Sequence, residues 1–141
     1  MTRCSSARSV LAALVICLLG TSAAAETREI AALRAARAWL AAVDAGNYDG
    51  SWRAAAVYFQ TAMSEEQWRV AMEGVRRPLG LLLAREVGSQ TYATELPGAP
   101  DGEYVVIQFN TSFENKRTAV ETVIPMVDDD GAWRVAGYFI R

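Results

Sequence analysis

The chain predicts an α+β domain in which three N-terminal helices pack on a curved four-stranded antiparallel meander. Three observations carry this: helical periodicity confined to the first half, β-branched and aromatic alternation confined to the second, and turn-forming residues between successive strand-like runs. From Thr27 to Ala45 the residues Ile30, Leu33, Leu40 and Val43 fall on one side of a 3.6-residue period, and Gly46-Asn47 supplies the stop. Ser51 to about Gln60 places Trp52, Ala55, Ala56 and Phe59 on one face, with Asp49 or Ser51 as cap. Ser64-Glu65-Glu66-Gln67 has capping-box spacing and opens a third helix with Trp68, Met72 and Val75 inward, ended by Pro78 and Gly80.

Beyond Gly80 the residues change character. A first strand runs from Leu82 to about Glu95 and leads into Pro97-Gly98-Ala99-Pro100-Asp101-Gly102, a run of turn formers. The second alternates with period two: Val105, Ile107, Phe109, Thr111 and Phe113 on a core face, and Tyr104, Val106, Gln108, Asn110 and Ser112 on a wetter one. Asn115-Lys116-Arg117 turns the chain into a third strand, Ala119 to Val127, and Asp130-Gly131 is a hairpin signal before a fourth, Ala132 to Ile140. Placing Val120, Thr122, Ile124 and Met126 on the core face of the third strand turns Glu121 toward the wetter side. A bulge at Pro125 would change that phase.

The start of the chain has the parts of a secretory signal: Arg3 and Arg8 in a basic segment, an apolar run from Val10 to Leu19, and Ala23-Ala24-Ala25 as a cleavage site. That run is about 10 residues, against the roughly 20 a spanning helix needs. The expectation is therefore a leader, residues 1–25, cleaved after Ala25, and one domain at 26–141, in the periplasm or outside the cell and without a membrane anchor.

Cleavage removes both cysteines, Cys4 and Cys17, and the sequence has no histidine. The usual thiol nucleophile, the neutral-pH proton shuttle and the two soft metal ligands are thus missing together. The mature part carries a formal charge of about −4, and Lys116 is the single lysine, so nucleic acid is a poor partner. No phosphate loop, serine-nucleophile elbow, zinc motif or nucleotide fingerprint occurs. Neither a metal nor a cofactor is expected.

Several landmarks together carry a family resemblance: Trp39-Leu40 with Val43-Asp44 and Tyr48, Ser51-Trp52, Gln67-Trp68, Arg76-Arg77-Pro78-Leu79-Gly80, Asp101-Gly102-Glu103-Tyr104, Phe113-Glu114-Asn115-Lys116, Glu121-Thr122-Val123 and Gly131-Ala132-Trp133-Arg134-Val135. The chain resembles the bacterial family called domain of unknown function 4019. That resemblance implies a nuclear transport factor 2-like, or cystatin-like, architecture, a cone of sheet around helices with a pocket at its open end. It implies no chemistry, because such folds host enzymes, binders and dimerisation modules alike.

The candidate ligand-binding residues are Trp68, Tyr58, Arg85 and Glu121; no catalytic residue is assigned. Trp39, Trp52, Trp68 and Trp133 suit an apolar pocket, but core packing explains them equally simply and is preferred. Glu121 within an apolar strand suggests a carboxylate of raised pKa, or a cross-strand pair with Arg85 or Arg134, and the pairing is preferred. Arg76-Arg77 suits an anion, yet cations at a helix C-terminus are explained by the dipole alone. Asp128-Asp129-Asp130-Gly131 lacks the alternating ligands of a calcium loop and reads as a turn. The function expected is an exported, non-enzymatic domain that binds a small apolar molecule or a protein partner. Two alternatives stand beside it: a ketosteroid-isomerase-like isomerase or hydro-lyase with Glu121 or Asp44 as base and Tyr58, Tyr104 or Tyr138 as donor, and a homodimerisation module.

Overall fold

The computed structural model describes residues 26–141; the expected leader lies outside the described residues. Helix α1 spans Arg28–Asp44, its first turn capped by Thr27, whose hydroxyl accepts from the Ile30 N–H at 3.3 Å. Its buried residues are Ala32, Ala36, Trp39, Leu40 and Val43, so the inward face is rotated from the expected one, and Ile30 is 55% exposed. Gly46, at φ 73°, supplies the left-handed residue that lets the chain reverse.

The second helical stretch divides in two, α2 at Tyr48–Arg53 and α3 at Val57–Ala62, giving four helices in place of three. Helix propensity favours continuity through Ala54-Ala55-Ala56, but tertiary structure overrides it. Ala56 is extended, and its N–H donates to the Val135 carbonyl at 2.8 Å, which ties this corner to the sheet. The Gln60 amide nitrogen lies 3.1 Å from each of the Trp52, Arg53 and Ala55 carbonyls, acceptors at and just past the end of α2. Helix α4, Glu65–Val75, has the expected capping box complete. Val75 is 50% exposed rather than inward, and the next residue, Arg76, is the buried one. A short 3₁₀ turn, Arg77–Leu79, follows.

Strands β1 (Leu82–Ala93), β2 (Tyr104–Phe113), β3 (Lys116–Val127) and β4 (Trp133–Ile140) form one sheet in the order β1-β2-β3-β4, with every pair antiparallel. The turn between β2 and β3 is Glu114-Asn115, so β3 begins three residues earlier than Ala119. Register shifts interrupt all three ladders and bend the open sheet. In the last of them Ala136 is the extra residue on β4, opposite Pro125, which has no N–H for the ladder.

The phase of β3 is the reverse of the expectation. Ala119, Glu121 and Val123 are buried, while Val120, Thr122 and Ile124 are only partly so; past the irregularity Pro125 and Met126 are both covered. Apolar residues occupy both faces of this strand, so alternation alone does not choose between them. The helices cover the face bearing Val105, Ile107, Phe109, Val123 and Val135, with Trp39, Leu40, Phe59, Trp68 and Met72 interleaved above it.

Candidate functional site

Trp39 and Trp68 are core residues, with ring centroids 5.6 Å apart, and Tyr138 packs edge-on against both at 5.2 and 6.1 Å. One fully buried serine at the α2 end serves both indoles. The Ser51 hydroxyl accepts from Trp68 Nε1 at 2.9 Å and donates to the Tyr48 carbonyl, and the Ser51 carbonyl accepts from Trp39 Nε1 at 2.8 Å. Trp52 and Trp133 are only partly buried at the margin of the same core.

Beside this aromatic group four charges form an alternating chain. Arg76 at the end of α4 donates to Asp44, the last residue of α1, at 3.0 Å; Arg85 on β1 donates to both Asp44 oxygens at 2.7 and 3.0 Å; and Arg85 also donates to Glu121 on β3 at 2.8 and 3.1 Å. The Glu121 carboxylate receives two further bonds, from the Thr111 hydroxyl at 2.7 Å and the Tyr138 hydroxyl at 2.6 Å. Two carboxylates thus face two guanidinium groups, and the chain is neutral within itself. With Thr111 on β2 and Tyr138 on β4 it links both long helices to all four strands.

Glu121 is 0% exposed, and its four donors divide equally between Oε1 and Oε2. A carboxylate has about four acceptor positions, so none is left to take a proton from a substrate. Desolvation holds the Tyr138 pKa well above the ordinary phenol value, and the charge and hydrogen bond of Glu121 push it the same way. For Arg85 burial opposes the charge, but its bonds to Asp44 and Glu121 outweigh that and raise its pKa. Arg76 lies 4.4 Å over the Phe113 ring and also donates to the Gly80 carbonyl at 2.7 Å. The arginine corner is therefore an internal tie through Arg76.

On the other side of Tyr138 lies a cavity of about 450 Å³. Tyr58, Phe59, Trp68, Ile124, Tyr138 and Phe139 supply much of its wall, and Leu96, Pro97 and Ala99 close it from the β1–β2 loop. Two tyrosines pin that loop: the Tyr58 hydroxyl donates to the Gly98 carbonyl at 2.8 Å and the Tyr104 hydroxyl to the Pro100 carbonyl at 2.5 Å. Its volume lies in the range of small-molecule sites. A polar concavity of about 410 Å³ between the α1–α2 turn and α4 presents Asp49, Arg69, Glu73 and Arg77 instead.

The four nominated residues therefore fall into two places. Tyr58 and Trp68 line the cavity, whereas Arg85 and Glu121 belong to the charge chain, and Tyr138 touches both. Arg134 is not the partner of Glu121; it bonds Asp130 through both terminal guanidinium nitrogens at 2.7 Å and reaches Asp128 at 3.2 Å. The Arg134 hydrogen bonds hold Asp130 well below the ordinary carboxylate range. Among the described residues no cluster of three or more His, Cys, Asp or Glu side chains is arranged to hold a metal ion. Sequence reading missed Ser51 as the acceptor for two indoles and Thr111 as a donor to Glu121. A small hydroxyl residue within an otherwise apolar core pattern is the signal that both share.

No curated protein and no solved structure matches the chain. The model of a family described as "Protein of unknown function (DUF4019)" matches residues 35–138, a span that holds the whole charge chain and the cavity wall from Tyr58 to Tyr138. The chain belongs to that family.

Proposed function

We propose that this domain is a non-enzymatic binding module that takes a small apolar ligand in the cavity between α3, the β1–β2 loop and β4. The observation that carries the reading is the cavity itself, about 450 Å³ walled by aromatic and aliphatic side chains that include Tyr58 and Trp68. The saturated hydrogen bonding of Glu121 supports a binding role over base catalysis, since a general base needs a lone pair within reach of the substrate. Export after cleavage at Ala25 belongs to the same proposal, and sequencing the N-terminus of the mature protein should find Glu26.

The test is titration with N-phenyl-1-naphthylamine, an uncharged fluorescent probe, followed by its emission and by thermal shift. Saturable binding with stabilisation is expected. Ala62→Trp, which adds bulk at an exposed position of the wall, should weaken it at least about tenfold without unfolding the protein. Absence of saturable binding, or binding indifferent to Ala62→Trp, defeats the reading.

A further inference from the structure

We propose that the cavity selects uncharged ligands and rejects anions of the same shape. The inference rests on the binding role proposed above and adds the chemical class of the ligand.

It follows from an account of donors and charges around the wall. None of the 14 wall residues among the described ones carries a charge. Four of them have an O–H or N–H in the side chain, and each of those hydrogens is already committed within the protein. Tyr58 donates to Gly98 O, Trp68 to Ser51 Oγ, Tyr104 to Pro100 O and Tyr138 to Glu121 Oε2. The wall thus presents ring faces, aliphatic groups and phenol lone pairs, and no side-chain donor for an oxyanion.

Recruiting a donor from behind the wall is costly. Turning the Tyr138 hydroxyl toward a ligand would deprive a fully buried carboxylate of one of its four bonds. Arg85 is engaged by Glu121 and Asp44, and Arg76 by Asp44 and the Gly80 carbonyl. The nearest formal charge along this hydrogen-bond path is Glu121 itself, which is negative.

A backbone amide at the β4 edge is also turned away from the sheet. Val120 and Arg141 exchange both of their backbone bonds, so by antiparallel alternation Phe139 and Gly137 also face β3, and the Tyr138 amide faces away from it. A single amide N–H suits a neutral carbonyl or hydroxyl. It does not replace the water shell of a carboxylate, whose burial without a cation is strongly unfavourable.

The experiment compares naphthalene, 1-naphthol and 1-naphthoate as competitors of N-phenyl-1-naphthylamine on the purified protein at pH 7. Naphthalene and 1-naphthol should displace the probe, and 1-naphthoate should be weaker by at least about tenfold. Lowering the pH toward the ligand's own carboxyl pKa should narrow that gap, because the protonated acid is neutral. In Ala62→Arg, which puts a cation at an exposed wall position, 1-naphthoate should gain about tenfold while 1-naphthol changes little. If 1-naphthoate binds the original protein as well as 1-naphthol, or Ala62→Arg leaves the discrimination unchanged, the selectivity is wrong although a ligand site exists. If neither the probe nor any of the three binds, the binding role itself has failed.

Discussion

The Tyr138 hydroxyl donates to Glu121 Oε2 at 2.6 Å, so that one side chain of β4 walls the cavity with its ring and completes the hydrogen bonding of a buried carboxylate with its oxygen. Cavity and charge chain are therefore adjacent parts of one construction. The chain holds the sheet and the two long helices in register, and Tyr138 presents that rigidity to the cavity as a fixed wall.

Removing one member of the chain leaves a buried charge without its partner. Arg85→Met should cost about 3–5 kcal/mol, because Glu121 keeps only its two hydroxyl donors. Arg85→Met combined with Glu121→Leu should be markedly less damaging than Arg85→Met alone, since the second change removes the stranded charge and Asp44 retains Arg76. Urea denaturation decides it. A double variant no more stable than the single one would mean that the pair is not the coupled unit described.

Tyr138→Phe separates the two parts. The ring, its contacts with Trp39 and Trp68 and the cavity shape remain, while Glu121 Oε2 keeps only Arg85. Stability should fall by about 1–3 kcal/mol, the cost of an unmet buried acceptor. Affinity for N-phenyl-1-naphthylamine should stay within about twofold, because the lost proton never faced the ligand. A large loss of affinity at unchanged stability would show that the hydroxyl serves the ligand.

Much of this was legible in the residues, and the failures have identifiable causes. The capping box at Ser64, the alternation of β2 and the meander order are local signals that tertiary structure does not oppose. The break between α2 and α3 is not local, because it depends on the Val135 carbonyl accepting from Ala56. Glu121 was legible as a partner of Arg85 but not as an inward residue. Its burial is compensated by Thr111, Tyr138 and Arg85, contributed by three other strands, and no spacing within β3 reveals them. The same holds for the cavity: Trp68 is legible as aromatic area and Tyr58 as a hydroxyl donor, whereas the loop that closes over them is held by backbone acceptors that sequence does not mark.

Alkaline pH should destabilise the protein in a defined direction. Burial holds Tyr92, Tyr104 and Tyr138 above the ordinary phenol pKa in the folded state, with Glu103 adding to it at Tyr92 and Glu121 at Tyr138. A raised pKa means that the native state keeps a proton that the unfolded state loses. Stability from these groups is then full below about pH 10 and declines as pH rises above it. Absorbance at 295 nm should show some of the five tyrosines ionising only as the fold melts, and Tyr138→Phe should remove one from that late step. A single transition of all five near pH 10 with the fold intact would contradict the burial described.

Ser51→Ala tests whether one hydroxyl sets the aromatic wall. The Trp68 N–H would lose its acceptor inside the core, while the Trp39 N–H would keep the Ser51 backbone carbonyl. An unmet buried N–H costs about 1–3 kcal/mol, and the indole has no water within reach unless it rotates. Rotation would carry the ring away from its edge-on contact with Phe59, 5.1 Å between centroids, and into the cavity that both residues line. Two effects should therefore appear together: a lower urea midpoint and a weaker probe affinity, accompanied by a shift of tryptophan emission. Loss of stability with unchanged affinity would confine Ser51 to the core and separate it from the cavity.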